Sequence, residues 1–367
     1  MTIVRIVADD LTGALDAAAP FVATTGPLPV FLEMPSHRTP GGSLVLDSET
    51  RDASRPRSDW IDGFKGADLA FKKIDSLLRG RTVDEIAACL ASGRFESALI
   101  APAFPAQQRI TRGGRQYWRA GAGAAWQPVE RDLMAELRRR GVPIRHASSG
   151  DAVAGRGFYL CDATTEAELQ AIVGAGRRLP GPLLWIGTAG LARALAGSTA
   201  PIAATTLAAP LLLVIGSHHP VTLAQIERLA AQAPEAIATI DLDGTEVTAA
   251  IGVVAAALDA GRRAGLVLAL PDGTGAEVAG PLFDRVMRLA TMRLPMPGSL
   301  VVSGGATLFR LARALGAGSP SVTGEPMPGV ARSRLEGGRW PGATVISKSG
   351  AFGTPDLLVR WWNLVQP

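Results

Sequence analysis

Residues 3–16 read IVRIVADDLTGALD, a mostly apolar run that ends in the acidic pair Asp9-Asp10 and passes directly into the helix-like stretch from Leu11. A short apolar strand feeding a helix predicts an α/β fold, because a strand covered by helices on both faces has no polar side to alternate with. The same arrangement repeats along the chain. Apolar runs at Val30–Glu33, Leu44–Asp47, Leu69–Phe71, Ser97–Ala101, Phe158–Cys161 and Leu183–Ile186 predict a first set of strands. Leu211–Ile215, Ala236–Ile240, Leu266–Leu270, Ser299–Ser303 and Thr344–Ser347 predict a second. Helical patterns fall between them at Thr82–Ala91, Val129–Arg140, Leu191–Ala196, Leu223–Gln232, Val247–Arg262 and Thr307–Leu315. The expected fold class is α/β: two domains, each a mostly parallel sheet flanked by helices, with a ligand cleft between them. The uncharged stretch 197–210, GSTAPIAATTLAAP, is the expected linker, giving domains at residues 1–200 and 208–367. The glycine-rich residues 113–123 read as a long loop.

The 367 residues carry 37 basic and 33 acidic groups, a net charge of +4. Only Lys65, Lys72, Lys73 and Lys348 are lysines, so the other basic residues are arginines, spread without the basic and aromatic stripe of a nucleic-acid surface. A nucleic-acid partner is therefore not expected, whereas a few local cations suit a small anion. Cys89 and Cys161 sit in apolar contexts and make neither a disulfide framework nor a zinc site, which favours a reducing compartment. The first residues turn acidic too early for a secretory signal, and no apolar run reaches the roughly 18 residues that span a bilayer. A cytoplasmic protein with no membrane partner is expected, and a homo-oligomer is compatible with everything above.

Ligands of open α/β sheets collect at the carboxyl ends of strands. Asp9 and Asp10 lie at such an end, where carboxylates accept hydrogen bonds from hydroxyls, hold a metal or act as a general base. Capping of the next helix by Asp10 or Thr12 is the plainer explanation. Asp16 lies further along the same helix. In Lys72-Lys73-Ile74-Asp75-Ser76-Leu77-Leu78-Arg79, the groups Lys73, Asp75 and Arg79 suit a carboxylate with neighbouring hydroxyls, or form a surface ion-pair cluster. Arg109, after the loop Ala101–Gln108, is a second candidate carboxylate clamp. Later in the chain, Gly216-Ser217, Ser303-Gly304-Gly305-Ala306-Thr307 and Lys348-Ser349-Gly350-Ala351-Phe352-Gly353 follow strands and precede helices or turns, so their amides can cradle phosphate. Each is common turn chemistry alone, and three in one domain point to a nucleotide. His218 and His219 lack an acid or cysteine at ligand spacing and read as helix-start residues. No P-loop, dinucleotide fingerprint, nucleophile elbow or zincin motif is present.

In this order, DDLTGA, KKIDSLLRG, APAFPAQQR, Gly187-Thr188-Ala189-Gly190-Leu191, Gly216-Ser217, Gly304-Gly305-x-Thr307, Gly324-Glu325-x-x-Pro328-Gly329 and KSGAFG resemble the four-carbon acid sugar kinase family over nearly the whole chain. The resemblance implies an acid-sugar-binding N-terminal domain and a nucleotide-binding C-terminal domain. It implies ATP-dependent phosphorylation of a tetronate, 3-oxo-tetronate or similar acid sugar at its terminal hydroxyl, with Mg²⁺ on the β and γ phosphates. Asp10 or Asp75 would be catalytic, and Asp9, Lys73, Arg79 and Arg109 would bind the acid sugar. Ser217, Gly304, Gly305, Ala306, Thr307, Lys348 and Gly350 would bind the nucleotide, while Gly187 and Leu191 would pack. The chain departs from the family at Leu15, Leu77, Arg81, Gln108 and Ala306. Those departures motivate an alternative, a non-catalytic sugar-acid or nucleotide sensor; an acid-sugar dehydrogenase is disfavoured by the missing dinucleotide fingerprint.

Overall fold

A computed structural model describes residues 2–32, 41–51, 59–121, 123–197, 207–241, 247–270, 274 and 276–366. Glu33 of the expected second strand, and residues 198–206 of the expected linker, lie outside the described residues. The chain divides into two compact units, Met1–Pro201 and Ile202–Pro367.

The first unit contains strands β1 (Val4–Ala8), β2 (Leu28–Phe31), β3 (Leu44–Asp47), β4 (Leu69–Lys73), β5 (Ser97–Ala101), β6 (Arg109–Arg112), β7 (Arg115–Trp118), β8 (Gln127–Pro128), β9 (Ile144–Ala147), β10 (Gly157–Cys161) and β11 (Leu183–Gly187). Its helices are α1 (Leu11–Ala18), α2 (Val22–Thr25), α3 (Thr82–Ala91), α4 (Leu133–Arg139), α5 (Glu166–Gly176) and α6 (Ala189–Ala196). The main sheet runs β2-β3-β1-β4-β11-β5-β10-β9, and every neighbouring pair is parallel. Strands β1, β3 and β5 are buried along their whole length, the condition that made their sequences mostly apolar, with Arg5, Asp47 and Ser97 the buried exceptions. Strands β2 and β3 lie on one side of β1 and β4 on the other, so the carboxyl ends of β3, β1 and β4 lie where the strand order reverses, the place at which ligands of open α/β sheets collect.

The second unit contains β12 (Leu207–Ala208), β13 (Leu211–Ile215), β14 (Ile237–Ile240), β15 (Ala264–Leu268), β16 (Ser299–Ser303), β17 (Ser321–Met327), β18 (Val330–Arg334), β19 (Thr344–Lys348) and β20 (Val365–Gln366). Its helices are α7 (Pro220–Gln232), α8 (Val247–Asp259), α9 (Ala276–Arg293), α10 (Gly305–Leu315) and α11 (Leu357–Asn363). Here β14-β15-β13-β16-β19 are parallel, and β18 and β17 extend the sheet antiparallel. Each unit has its own core. Ile100, Leu160 and Ile186 belong to the first and Leu213, Val301 and Ile346 to the second.

Two local expectations change, and one helix is new. Residues 113–123 are not one long loop: β6 and β7 pair antiparallel around Gly113-Gly114, both at positive φ, as a two-residue hairpin requires. The helix expected over Val129–Arg140 starts at Leu133, where Asp132 accepts a hydrogen bond from the Ala135 amide and caps it. Helix α9 encloses Pro281, a residue that reads as a breaker in sequence, so nothing marked it in advance. Among the described residues, no helix is long and apolar enough to cross a membrane.

Candidate functional site

At the end of β1 the backbone turns and Asp10 caps α1, its Oδ1 accepting the Gly13 amide at 2.9 Å. The capping role does not consume the carboxylate, because Oδ2 faces Arg51 Nη1 at 2.6 Å. Arg51 follows β3 in Asp47-Ser48-Glu49-Thr50-Arg51, and its amide donates to Asp9 O, tying the two strand ends together. Its guanidinium also donates to both oxygens of Asp9, at 2.9 and 3.0 Å, and lies 3.7 Å from Asp75 Oδ1. One arginine thus gathers three carboxylates from β1 and β4, and it was not among the residues singled out in the sequence. The available signal was local: a polar segment at the end of an apolar strand, the same pattern that marked Asp9-Asp10 and Lys73-Asp75.

The carboxylates differ in character. Burial favours the neutral acid at Asp9, but the Arg51, Lys73 and Lys72 charges outweigh it and hold the carboxyl below its ordinary range. At Asp10, burial dominates, Arg51 opposes it, and the neighbouring Asp9 charge adds to it, so the carboxyl lies above its ordinary range. Asp75 is buried too, yet Arg79 hydrogen bonds and the Arg51 and Arg79 charges hold it far below. Asp75 Oδ2 accepts the Leu77 and Arg79 amides and Arg79 Nε, and Oδ1 accepts Arg79 Nη2 at 2.7 Å. With its acceptor sites so engaged, Asp75 is an anchor for Arg79 and a weak proton acceptor, whereas Asp10 retains basicity. Asp47, buried at the end of β3, is pushed well above the carboxylate range by burial; its Oδ1 accepts the Glu49 amide.

The two lysines of β4 point to opposite faces, as the strand period requires. Lys73 Nζ donates to Ile74 O at 3.0 Å and lies 3.7 Å from Asp16 Oδ1, on the side of α1. A Cβ at Gly13 would stand 2.5 Å from Asp10 Oδ1 and 2.9 Å from Lys73 Nζ, so only glycine lets the two groups approach there. Lys72 is fully buried in an ion pair with Glu85 at 2.9 Å, its Nζ 5.1 Å from the centre of the Trp60 ring. Arg109 is buried, burial lowers its pKa to about 10, and its Nη1 donates to Gln107 O. Arg79 is half exposed and is the cation of this group most open to a ligand.

Among the described residues, the non-glycine residues at positive φ are Glu49, Leu78 and Gln108, one in each loop after β3, β4 and β5. Such conformations cost about 1–3 kcal/mol each and gather at functional sites. Gln108 stands where the resembled family has glycine, and its φ of 61° explains the preference; Gln108 Oε1 accepts Arg119 Nε at 2.6 Å. Gln116, another residue the sequence did not flag, donates through Nε2 to Ser76 O and Pro102 O, linking the β4 and β5 loops. Leu15 is fully buried and Leu77 packs on the core, so both departures change packing. Arg81 precedes α3 without a side-chain cap bond and sits 3.7 Å from Asp84. Thr188 Oγ1 donates to Ala103 O, and Gly187 and Gly190 lie against the β5 end, a packing contact for the GTAGL turn.

In the second unit, Ser217, Gly304 and Gly350 meet at the carboxyl ends of β13, β16 and β19. A Cβ on Gly350 would collide with Ser217 Oγ, and Gly304 has φ 109° with its amide donating to Lys348 O. Helix α10 begins at Gly305 with no side-chain cap bond, leaving its first amides unclaimed by any cap; Ala306 is exposed there and Thr307 is buried. His219 caps α7 through Nδ1, and His218 Nε2 accepts the Leu270 amide. Thr222 and Gln225 of α7, both fully buried, hold the KSGAFG turn by donating to Gly350 O, Phe352 O and Thr354 O. Lys348 Nζ donates to Thr222 Oγ1 and Ser349 O. Three glycine turns and the uncapped start of α10 offer backbone amides to phosphate oxygens, while Lys348 is buried among them.

The sugar-binding N-terminal domain family matches residues 4–143, and the nucleotide-binding C-terminal domain family matches residues 212–358. A D-threonate kinase of Cupriavidus necator is 31% identical, over 98% of this chain and 97% of its own length. A D-threonate kinase of Bordetella bronchiseptica is 29% identical, over 97% and 96%. A Salmonella typhimurium LT2 crystal structure, described provisionally as a tRNA synthase, superposes with a TM-score of 0.73 at 20% identity over 98% of both chains. A Haemophilus influenzae protein of the DUF1537 family gives 0.65 at 18% identity over 98% of both chains. At those identities the two structures share the fold alone.

Proposed function

The chain belongs to the four-carbon acid sugar kinase family, and on that premise we propose that it transfers the γ-phosphoryl group of ATP to the terminal hydroxyl of a tetronate, D-threonate or a close relative. The observation that carries this reading is the separation of two chemistries. The carboxyl ends in the first unit carry carboxylates suited to hydroxyls, with Arg79 and Arg109 for the acid group. Those in the second unit carry glycine turns and Lys348, with no carboxylate among the described residues bound to them.

In this mechanism residues 1–200 hold the acid sugar and residues 208–367 the nucleotide. Arg79, held by Asp75, and Arg109 grip the substrate carboxylate, while Asp9 and Lys73 contact hydroxyls. Asp10 accepts the proton of the terminal hydroxyl as its oxygen bonds to the γ phosphorus; the bond from phosphorus to the β–γ bridging oxygen breaks and ADP leaves. Ser217, Gly305, Ala306, Thr307 and Gly350 present backbone amides or small side chains to the phosphates, and Gly304, whose own amide donates to Lys348 O, shapes the turn that holds them. Among the described residues no cluster of three metal-ligating side chains occurs. Mg²⁺ normally rides on nucleotide phosphates with waters and at most one or two carboxylates, so the glycine turns fit a nucleotide that brings its own ion. When bound it neutralises phosphate charge.

The test is ADP release from ATP over a panel of D- and L-threonate, erythronates and 3-oxo-tetronates. Silence across the whole panel refutes the kinase reading. On the substrate found, Asp10→Asn is expected to lower kcat by about 10²–10⁴-fold, and Asp75→Asn to raise KM more than it lowers kcat. The reverse pattern would exchange the two roles.

A further inference from the structure

Lys348 is fully buried in the second unit, and no carboxylate among the described residues lies within ion-pair distance of its Nζ. Its bonds are to Thr222 Oγ1 and Ser349 O, both at 3.1 Å. Thr222 spends its own proton on Gly350 O at 2.7 Å, so it must accept from the lysine. Amine, hydroxyl and carbonyl form a chain that ends at the Gly350 turn, which lies against Ser217.

The elements around Lys348 bring few other charges. Ahead of α7, His218 and His219 each use a ring nitrogen to accept a backbone amide. From β16 comes Ser303, paired in register with Lys348, and from α10 Thr307. On β18, Val330 pairs with Lys348 and Arg332 is exposed; on β17, Glu325 Oε1 accepts the Gly329 amide. A buried ammonium lacking a counter-ion is costly, and burial alone pushes this amine down to about 7. Nucleotide phosphate at the glycine turns would supply the missing anion.

We infer that Lys348 is a charge acquired with the nucleotide: when a phosphate docks on the Ser217, Gly304 and Gly350 turns, the buried amine takes one proton from solvent, and Thr222 positions it for this. The inference rests on the nucleotide reading of the second unit. It differs from that reading in requiring a proton to enter with the ligand.

Calorimetric titration of the full chain with Mg·ATP at about pH 8, in buffers of low and high ionisation enthalpy, reads the uptake directly. The wild type is expected to take up close to about one proton per nucleotide, and Lys348→Met none. Wild-type affinity should fall by up to about tenfold per pH unit above neutrality, with a flat profile in Lys348→Met. That variant removes a buried charge and is expected to melt no lower than wild type, so loss of uptake is separable from loss of fold. Thr222→Val should weaken binding and Thr222→Ser restore it. Binding without uptake, or uptake that survives in Lys348→Met, overturns the inference and leaves the nucleotide reading intact. Wild type that binds no ATP removes both.

Discussion

Arg51 bonds bidentately to Asp9, reaches Asp10 at 2.6 Å and stands near Asp75, so its removal would strand three mostly buried carboxylates around an empty position. Breaking a buried ion pair by deleting one partner costs about 3–5 kcal/mol. Arg51→Gln is therefore expected to lose stability on that order at neutral pH, measured by urea unfolding. The loss should shrink as pH falls, because carboxyls that no longer face a cation take up protons more readily. An unchanged urea midpoint would show that Arg51 is peripheral. The polar segment after β3 was the one local signal for Arg51, and it was weak, because arginine is abundant here and its three partners follow two other strands. Asp9-Asp10 and Lys73-Asp75-Arg79 were legible because their neighbours are local in the chain. The faces of Lys72 and Lys73 were readable in principle from the strand period, although which face held the carboxylates was not.

Each cluster is built where a strand ends and a turn begins, and glycines set the spacing. In the second unit the KSGAFG turn packs on Ser217 so closely that a methyl group at position 350 would overlap its hydroxyl. Gly350→Ala is expected to weaken nucleotide binding by about tenfold or more, given that about 1.4 kcal/mol of displaced contact is a factor of ten. Its thermal melt should fall only modestly, because the nearest atom that the new methyl group would meet is the Ser217 hydroxyl, which can rotate away. Titration with ATP beside a melting curve separates these effects; intact binding would remove the turn from the site. The strand and helix order was legible because buried parallel strands are mostly apolar and the helices between them are long. The β6–β7 hairpin was missed since Gly113-Gly114 reads equally as a loop, and α9 since Pro281 reads as a stop. Thr222 and Gln225 were invisible for a different reason: polar residues on a helix normally face water, and only packing turned these two inward onto the KSGAFG carbonyls.

Across the whole molecule, stability against pH has two opposed contributions from buried groups. Asp75 is held far below the carboxylate range, so its contribution is complete above the ordinary carboxyl pKa and is lost as pH falls toward its folded value. Lys348 is lowered from 10.5 to about 7, so between those values the unfolded chain binds the extra proton and stability rises with pH. Below about pH 7 the folded protein bears the full cost of that buried charge. Lys348→Met is thus expected to raise the melting temperature most below pH 7 and to lose its advantage progressively toward pH 10.5. A gain independent of pH across that window would show that Lys348 keeps its proton in the folded state.

The sequence by itself determined the α/β class, most strand positions, the two families of strand-end residues and the resemblance to acid sugar kinases. All of these depend on residues close in the chain, where apolar periodicity and turn chemistry act directly. Only the tertiary structure decided that Arg51 gathers the carboxylates, that Asp75 is spent on Arg79 while Asp10 keeps its basicity, and that Lys348 lies buried beneath Thr222. Those outcomes depend on desolvation and on charges brought together from different strands. Neither quantity exists in a sequence until the sheet has put its carboxyl ends side by side.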